Sequence, residues 1–134
     1  MGSKNRILLG VLTDIILHHF RNTLLKKELY ITKLKVKKIA NKHPEIVSFI
    51  TKHNFQIIIN NTIARCEYNK DGIYNLLSFV DGRYILYSVS INNFYLEGGT
   101  LFYTSKRQLK KCSGSINFFN KRYKEDFLKF IEES

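Results

Sequence analysis

The first 24 residues carry apolar side chains at spacings of three and four positions, which is the period of one face of a helix. This pattern predicts an amphipathic helix over residues 4–24. His18 and His19 lie in its C-terminal half and would point about 100° apart, so we expect partly exposed helix residues rather than ligands of one site. The apolar positions are Ile7, Leu8, Val11, Leu12, Ile15, Ile16 and Phe20.

The next segment combines a short apolar stretch, a run of lysines and the only proline of the chain, Pro44. Residues 28–31 are predicted to form a strand, and Thr32 is a suitable N-cap for a basic helix that continues to residue 42. Apolar and basic residues also alternate over 30–37, so a strand there remains a second interpretation. Pro44 then opens a second helix to about residue 51. The apolar run 55–59 fits either a helix or a strand.

His43 stands immediately before that proline, at the end of the lysine run. The residue before a proline is disfavoured in the α conformation, so His43 is predicted to occupy the break between two helices. Its imidazole could then face a cleft, where a histidine is suited to proton transfer beside a phosphate. The alternative is that His43 only caps or joins the two helices.

The second half of the chain alternates apolar and polar residues in several runs, which predicts β-strands. Gly98-Gly99 is expected to open the last strand, and a short helix is expected near the C-terminus, over residues 126–131. The strands are predicted over residues 63–68, 73–80, 83–91 and 101–105.

Asp81-Gly82 lies between two of these strands and predicts a two-residue hairpin with a type I′ turn, in which Val80 pairs with Arg83. This register assigns every side chain of the hairpin to one of two faces. One face is mostly apolar and is expected to pack on helices, whereas the other is apolar near the turn and polar away from it. That second face carries Ile73, Asn75, Leu77, Phe79, Tyr84, Leu86, Ser88 and Ser90.

These elements together predict an α+β fold, in which N-terminal helices pack on one face of a small antiparallel sheet of about four strands. The chain of 134 residues is expected to form a single domain, because its length suits one domain and no linker divides it. Its predicted parts are an N-terminal helix in residues 1–28, a core over 29–107 and a basic C-terminal extension with a short helix over 108–134.

The chain has a formal net charge of +11, from 22 lysine and arginine residues against 11 acidic ones. Such an excess indicates a nucleic acid, an anionic membrane or an acidic protein as partner, or else a surface of solvated lysines. The apolar run 7–12 is too short to span a membrane, and we expect a soluble protein in the cytoplasm of a bacterial or phage-infected cell. Cys66 and Cys112 are not part of a CxxC motif and are expected to be free thiols.

Histidine, cationic and hydroxyl side chains from different elements form the candidate site for chemistry. His43 could move a proton, while cations and a hydroxyl group stabilise the charge that develops when an RNA 2′-OH attacks its phosphate. No metal cluster and no cofactor are expected. The three residues predicted to act with His43 also have structural interpretations. Arg65 could form a cross-strand ion pair, Thr104 is a good strand former and Lys106 could be a charge on an edge strand. The catalytic candidates are His43, Arg65, Thr104 and Lys106, and the RNA-binding candidates are Lys33, Lys35, Lys37, Lys38, Lys42, Tyr84 and Ser88.

The order of these features resembles that of phage-associated nucleases of the barnase–EndoU–colicin–RelE (BECR) superfamily. The resemblance covers about residues 29–107 and rests on the helix begun by Thr32, the HPE tripeptide at 43–45 and Thr104 in the last strand. It implies a metal-independent ribonuclease of the toxin or phage-effector type, with the histidine of the tripeptide and Thr104 at recurrent positions. Members often carry a further histidine where this chain has Lys38, so the resemblance also admits a relative that binds RNA without cleaving it.

The sequence therefore predicts a metal-independent ribonuclease that cleaves RNA through attack by the RNA's own 2′-OH. An acidic inhibitor or immunity protein is a further expected partner, and no contact with a membrane is expected. Two alternatives remain open. One is a non-catalytic, basic nucleic-acid-binding accessory protein of a phage, and the other is an adaptor that binds an acidic protein.

Overall fold

The computed structural model describes residues 5–19, 26–66, 72–91 and 95–133, and within them the chain forms seven β-strands and five α-helices. The strands are β1 (Arg6–Val11), β2 (Glu28–Thr32), β3 (Thr62–Cys66), β4 (Ile73–Val80), β5 (Arg83–Ile91), β6 (Leu96–Tyr103) and β7 (Ile116–Phe118). The helices are α1 (Asp14–His18), α2 (Lys33–Lys42), α3 (Lys52–Asn60), α4 (Lys106–Cys112) and α5 (Lys121–Glu132), with two 3₁₀ helices at Pro44–Phe49 and Ser113–Ser115.

All seven strands belong to one sheet, in the order β1-β2-β6-β5-β4-β3-β7. Every neighbouring pair is antiparallel except β2 and β6, which run parallel. The fold is α+β, but the predicted small antiparallel sheet of about four strands is wrong. The prediction identified the hairpin strands and their neighbours, and it missed the two strands at the edges of the sheet.

The helix predicted over residues 4–24 is also wrong. The chain forms the edge strand β1 there, and within the described residues only Asp14–His18 are helical. β1 pairs with β2, and Ile7 lies opposite Ile31. Because apolar residues at 7–9 satisfy either period, this pairing with a distant segment decides the structure. Positions 20–24 of the predicted helix lie outside the described residues.

A side chain of α3 covers part of the outer edge of β1. The side-chain oxygen of Gln56 accepts a hydrogen bond from Val11 N at 2.7 Å, and its side-chain nitrogen donates one to Val11 O at 2.9 Å. Gly10 leaves room for this contact, since a Cβ there would lie 2.5 Å from the Gln56 oxygen. The segment predicted as an N-terminal helix therefore supplies an edge strand that α3 holds in place.

The segment between β2 and β3 follows the prediction in most respects. The hydroxyl oxygen of Thr32 caps α2 by accepting a hydrogen bond from Lys35 N at 3.2 Å. Pro44 opens a helix as predicted, although that helix is 3₁₀ rather than α. The two alternatives left open are now decided, because residues 33–37 are helical and residues 55–59 lie in α3.

The β4–β5 hairpin confirms the predicted turn and register. Asp81 and Gly82 have φ angles of 50° and 76°, as a type I′ turn requires, and Val80 lies opposite Arg83. The mostly apolar face of the hairpin packs on α3, where the Tyr87 ring meets that of Phe55 with centroids 5.6 Å apart. The faces therefore separate as the alternation predicted.

Helices pack on both faces of the sheet, so the single helical face that was predicted is a further correction. The first hydrophobic cluster joins α1, α3 and the 3₁₀ helix after α2 to one face, and the second joins α4 and α5 to the other face near the hairpin turn. The first cluster includes Leu12, Ile16, Ile46, Phe55, Ile58, Leu76, Tyr87 and Val89, and the second includes Ala64, Leu77, Tyr84, Leu109, Phe127 and Ile131.

Residues 108–133 contribute to the sheet and to the second hydrophobic cluster. They supply most of α4, the edge strand β7 and α5, which contains the predicted helix 126–131 and is longer. In the described part of the chain, none of the helices is both long and apolar enough to cross a membrane.

Candidate nucleic-acid interface

An open cavity of about 700 Å³ lies over the part of the second sheet face that α4 and α5 leave uncovered, and we call it the sheet groove. On its floor, Asn75 of β4 lies opposite Ser88 of β5, and Ile73 lies opposite Ser90. This floor is the polar half of the hairpin face that the alternation predicted. The groove is lined by Lys35, Cys66, Ile73, Asn75, Leu86, Ser88, Ser90, Gly99, Thr100, Phe102, Lys111, Cys112 and Ser115.

One wall of the sheet groove is α2, because β2 pairs only with the beginning of β6. Leu29 lies opposite Leu96, and Tyr30 lies opposite Glu97. The chain then turns into α2 at Lys33, and the helix runs beside the remainder of β6, where a longer β2 would otherwise continue. The N-cap at the end of β2 therefore places the lysine run beside the sheet.

A second cavity, of about 280 Å³, opens at the C-terminal end of α2, and we call it the His43 recess. His43 caps α2 with φ −138° and ψ 64°, and it interrupts the helix as the following Pro44 requires. Its ring stacks on that of Phe102, with centroids 5.4 Å apart and planes inclined by 24°. Gly99, Thr100 and Phe102 line both cavities, so the sheet groove and the His43 recess form one continuous surface.

Three of the five lysines predicted to bind RNA reach this surface. Lys35 lines the sheet groove, and Lys38 and Lys42 line the His43 recess. Their spacing of three and four positions puts them on one face of α2. Lys33 and Lys37 are exposed, and neither lines either cavity in the described part of the chain.

Lys35 is held by an acidic partner on the neighbouring strand β6. Its ammonium group donates a hydrogen bond to the carboxylate of Glu97, which also accepts one from the Tyr95 hydroxyl at 2.7 Å. Burial acts to raise the pKa of Glu97, but these hydrogen bonds and the charges of Lys35 and Arg6 together hold that pKa below its ordinary value. The charge of Lys35 is therefore largely neutralised within the protein.

The wall opposite α2 is formed by the end of α4 and the 3₁₀ helix that follows it. Lys111, Cys112 and Ser115 line the groove there, and Cys66 lies on the floor beneath them. Both cysteines are free thiols, as predicted. Burial, and secondly the proximity of Cys112, raises the pKa of Cys66 to about 12, so this thiol stays protonated at neutral pH. Among the described residues, His, Cys, Asp and Glu side chains form no group of three that could hold a metal ion.

The four residues predicted to be catalytic do not converge. Thr104 follows β6, and its hydroxyl donates a hydrogen bond to Tyr84 O at 3.1 Å, in the second hydrophobic cluster. Lys106 opens α4, where its ammonium group donates to Glu133 O and lies 4.8 Å from the centre of the Phe130 ring. Both side chains thus interact with the covered half of the sheet face rather than with the His43 recess.

Arg65 lies on the opposite face of the sheet. Its neighbours on β3, Ala64 and Cys66, belong to the second cluster, so the alternation directs Arg65 to the other side. There its charge helps to lower the pKa of His19, after burial and the charge of His18. Glu67, with which the sequence offered Arg65 an ion pair as its structural interpretation, lies outside the described residues. Of the four catalytic candidates, His43 alone lines the surface formed by the two cavities.

The last two predicted RNA-binding residues have different positions. Tyr84 is only 3% exposed and packs its ring against Phe79, Phe127 and Phe130. Burial, with a smaller effect of the Asp126 charge, raises the pKa of Tyr84 to about 12. The ring is therefore part of the hydrophobic core. Ser88, in contrast, lines the sheet groove.

Sequence reasoning did not select four residues that line this surface: Asn75, Thr100, Phe102 and Lys111. The hairpin register already placed Asn75 on the same polar half-face as Ser88. Thr100 and Phe102 alternate with the buried Leu101, so the strand period could have indicated that both face away from the buried side. Lys111 could have been selected only if the sequence had been recognised as forming the helix α4.

No family model, curated protein or solved structure matches this chain. The resemblance to BECR nucleases therefore remains a hypothesis that rests on the residues quoted for it.

Proposed function

We propose that this protein binds single-stranded RNA along the continuous surface formed by the sheet groove and the His43 recess. The observation that carries this proposal is an open sheet face with an aromatic side chain, Phe102, between two lysine-bearing walls. Proteins that bind single strands combine a cationic groove for the phosphates with aromatic rings on which bases stack.

The cations at the two ends of this surface are available to phosphates. Lys38, Lys42 and Lys111 are exposed and take part in no ion pair within the part of the chain that the structure describes. The net charge of +11 adds long-range attraction for a polyanion. Association should release bound cations from the RNA, so the affinity should fall steeply as the salt concentration rises.

The floor between these cations favours an unpaired strand over a duplex. Phe102 contributes a ring that is half-buried between α2 and the neighbouring strands, so a base must leave its stack to reach it. Duplex RNA presents its phosphates and 2′-hydroxyls outward and keeps its bases stacked inside. We therefore expect weaker binding to a duplex of the same length.

The charge reversal of two lysines tests this proposal. Lys38→Glu with Lys42→Glu should weaken the binding of a fluorescent oligonucleotide of about ten residues at least tenfold, measured by anisotropy at several salt concentrations. Lys33→Glu with Lys37→Glu is the matched control, because it makes the same change on the same helix away from both cavities. Equal losses in the two double variants would show that the binding depends on net charge and not on this surface.

Metal-independent cleavage of the bound RNA is the second candidate function, and the position of His43 favours it. His43 faces the recess beside Lys38 and Lys42, and Glu45 Oε1 lies 3.7 Å from its Nδ1 atom. We propose that His43 takes a proton from the 2′-OH, whose oxygen attacks the adjacent phosphorus while the two lysines stabilise the developing phosphate charge. The bond between phosphorus and the 5′-oxygen breaks, and the protonated His43 returns the proton to this leaving oxygen. The Thr100 hydroxyl takes the place that the sequence prediction gave to Thr104.

Cleavage is tested by incubating labelled RNA with the protein in EDTA. We expect products with a 2′,3′-cyclic phosphate, no cleavage of a 2′-O-methyl substrate and no cleavage by His43→Ala. His53→Ala is the control, because His53 is an exposed histidine of α3. RNA binding without cleavage would leave the binding function and remove the nuclease function, whereas undiminished cleavage by His43→Ala would assign the chemistry to other residues.

A further inference from the structure

We propose that the floor of the sheet groove holds one unpaired nucleobase and reads it with Asn75 and Ser88. This inference rests on the RNA-binding function proposed above and assigns the base, rather than the phosphate, to the 700 Å³ cavity. Two side chains without partners, the glycine beside them and the distribution of charge support it.

Ser88 is 6% exposed and lines the groove, yet its hydroxyl makes no hydrogen bond in the described part of the chain. The side-chain amide of Asn75, directly opposite on β4, is likewise without a hydrogen bond there. Both groups are open to the cavity rather than enclosed by protein, so they are available to the polar edge of a ligand.

The buried hydroxyl groups of Thr62, Ser78 and Tyr87, on the opposite face of the sheet, are hydrogen-bonded within the protein. On the opposite face, the hydroxyl groups of Thr62 and Tyr87 lie 2.7 Å apart, and Ser78 donates a hydrogen bond to Ile58 O at 2.7 Å. At the other end of the groove, the Ser90 hydroxyl donates to Glu97 O at 3.3 Å. Within the described residues, the Ser88 hydroxyl therefore differs from those of Ser78 and Ser90, which donate to backbone oxygens.

Gly99 keeps the space beside Ser88 open. A Cβ at this position would lie 3.0 Å from the Ser88 hydroxyl oxygen and 3.7 Å from the Lys35 ammonium nitrogen. Any side chain there would crowd the hydroxyl group and project into the cavity. The backbone of β6 can thus approach a flat ligand closely.

The charge distribution separates the phosphate positions from the base position. Lys35, which lines the groove with Ser88, is already paired with Glu97, whereas Lys38 and Lys42 line the His43 recess and have no ion pair among the described residues. The middle of the groove therefore suits a neutral ligand with hydrogen-bonding edges. A carboxamide offers a donor and an acceptor to such an edge, and Ile73, Leu86 and Phe102 supply apolar contacts to the ring.

Base discrimination is the measurement that tests this inference. Dissociation constants are measured by anisotropy for strands of about ten residues of oligo(A), oligo(C) and oligo(U), and for an abasic ribose-phosphate strand of the same length. For the wild type, the best base should bind about tenfold more tightly than the worst, and every base more tightly than the abasic strand. Asn75→Ala should reduce the discrimination among bases to about twofold without changing the salt dependence.

Ser88→Ala provides an independent test, because it removes a hydroxyl group that makes no hydrogen bond to any described residue, and it should leave the fold intact. It should also reduce the discrimination, and it decides the matter if Asn75→Ala does not fold. Asn41→Ala, at an exposed position of α2, is the control and should discriminate like the wild type. Equal binding of all four strands by the wild type, with the steep salt dependence retained, would overturn the base site and leave the RNA-binding function standing. Absence of binding to every strand would overturn both.

Discussion

The two halves of one face of the β4–β5 hairpin differ in whether helices cover them. Near the Asp81-Gly82 turn, β4 and β5 carry Leu77 and Tyr84, and α4 and α5 cover them; the Tyr84 ring lies 5.6 Å from that of Phe127. Farther along the same strands, Asn75 and Ser88 occupy the equivalent face, and the sheet groove lies above them. The β4–β5 register runs unbroken through both halves, whereas the β5–β6 register shifts between Tyr87 and Val89, beside Ser88. The side chains on this face also differ, because they are apolar in the covered half and polar in the open half.

The comparison shows how an open binding surface can arise on a sheet that is otherwise covered. Extending an apolar helix over Asn75 and Ser88 would bury polar groups without partners, which costs more than the added apolar contact stabilises. The covering helices therefore end where the polar half begins, and Lys111 lies at that boundary. One half of the face contributes to the hydrophobic core, and the other half carries the proposed ligand site.

The largest expected effect concerns stability in the covered half. Phe127 is fully buried in the second cluster, so Phe127→Ala should lower the free energy of unfolding by about 3–5 kcal/mol, measured by urea denaturation. Leu128→Ala is the neighbouring control, at a side chain that is 38% exposed, and should cost less than about 1 kcal/mol. Similar losses in the two variants would mean that α5 does not cover the sheet in this way.

The reverse effect is expected in the open half. Phe102→Ala should weaken RNA binding by about 1–3 kcal/mol, because it removes the ring on which a base can stack. Its effect on unfolding should be smaller than that of Phe127→Ala, since Phe102 is only half-buried. Phe79→Ala changes a 40% exposed ring at the covered end of the hairpin and should bind RNA normally. Equal losses of RNA affinity in Phe102→Ala and Phe79→Ala would show that binding is not confined to the open half.

Cys66 lies where the two halves meet and gives a pH-dependent test. Burial raises its pKa from 9.0 to about 12, so the folded state keeps a proton that the unfolded chain releases near pH 9. The stabilisation is fully present below about pH 9 and is lost towards pH 12, by roughly 1.4 kcal/mol per pH unit. Urea denaturation at pH 8, 9 and 10 should therefore show a shallower loss in Cys66→Ala than in the wild type. An equal loss of unfolding free energy with pH in the wild type and Cys66→Ala would mean that the thiol is exposed to water in the folded state.

The smallest expected effect concerns the ion pair at the edge of the groove. Glu97→Gln removes the carboxylate that neutralises Lys35, so RNA affinity should rise a few-fold, while stability should fall by about 1 kcal/mol or less. Anisotropy at low salt measures the affinity. Glu125→Gln on α5 makes the same charge change at an exposed position and should have a smaller effect on binding. A weaker complex in Glu97→Gln would indicate that the pair positions Lys35 for the ligand.

The parts of the fold that depend on local signals could be predicted from the sequence. Asp81-Gly82 determines the turn, and with it the register that puts Asn75 and Ser88 on one half-face. Thr32 and Pro44 determine where α2 begins and where the chain breaks at His43. Each of these features is decided by a few neighbouring residues.

The edge strands and the arrangement of the catalytic candidates could not be predicted in the same way. β1 and β7 depend on partners far along the chain, which periodicity does not reveal. The last strand is predicted to reach residue 105, whereas Ser105 begins α4 with a capping box: its hydroxyl accepts a hydrogen bond from Gln108 N at 3.2 Å. That signal is present in the sequence as serine followed three positions later by glutamine. Because α4 begins there, Lys106 lies on this helix and its ammonium group contacts the Phe130 ring of α5.

The central claim is that the open half of the hairpin face is the RNA-binding surface. An NMR titration of the isotopically labelled protein with a single-stranded RNA of about ten residues tests it most directly. We predict chemical-shift changes at the backbone amides of Asn75, Ser88, Thr100 and Phe102 and along the His43 end of α2. The amides of Leu77, Tyr84 and α5 should remain unchanged. Shifts confined to α5, or an unchanged spectrum at saturating RNA and low salt, would contradict this account.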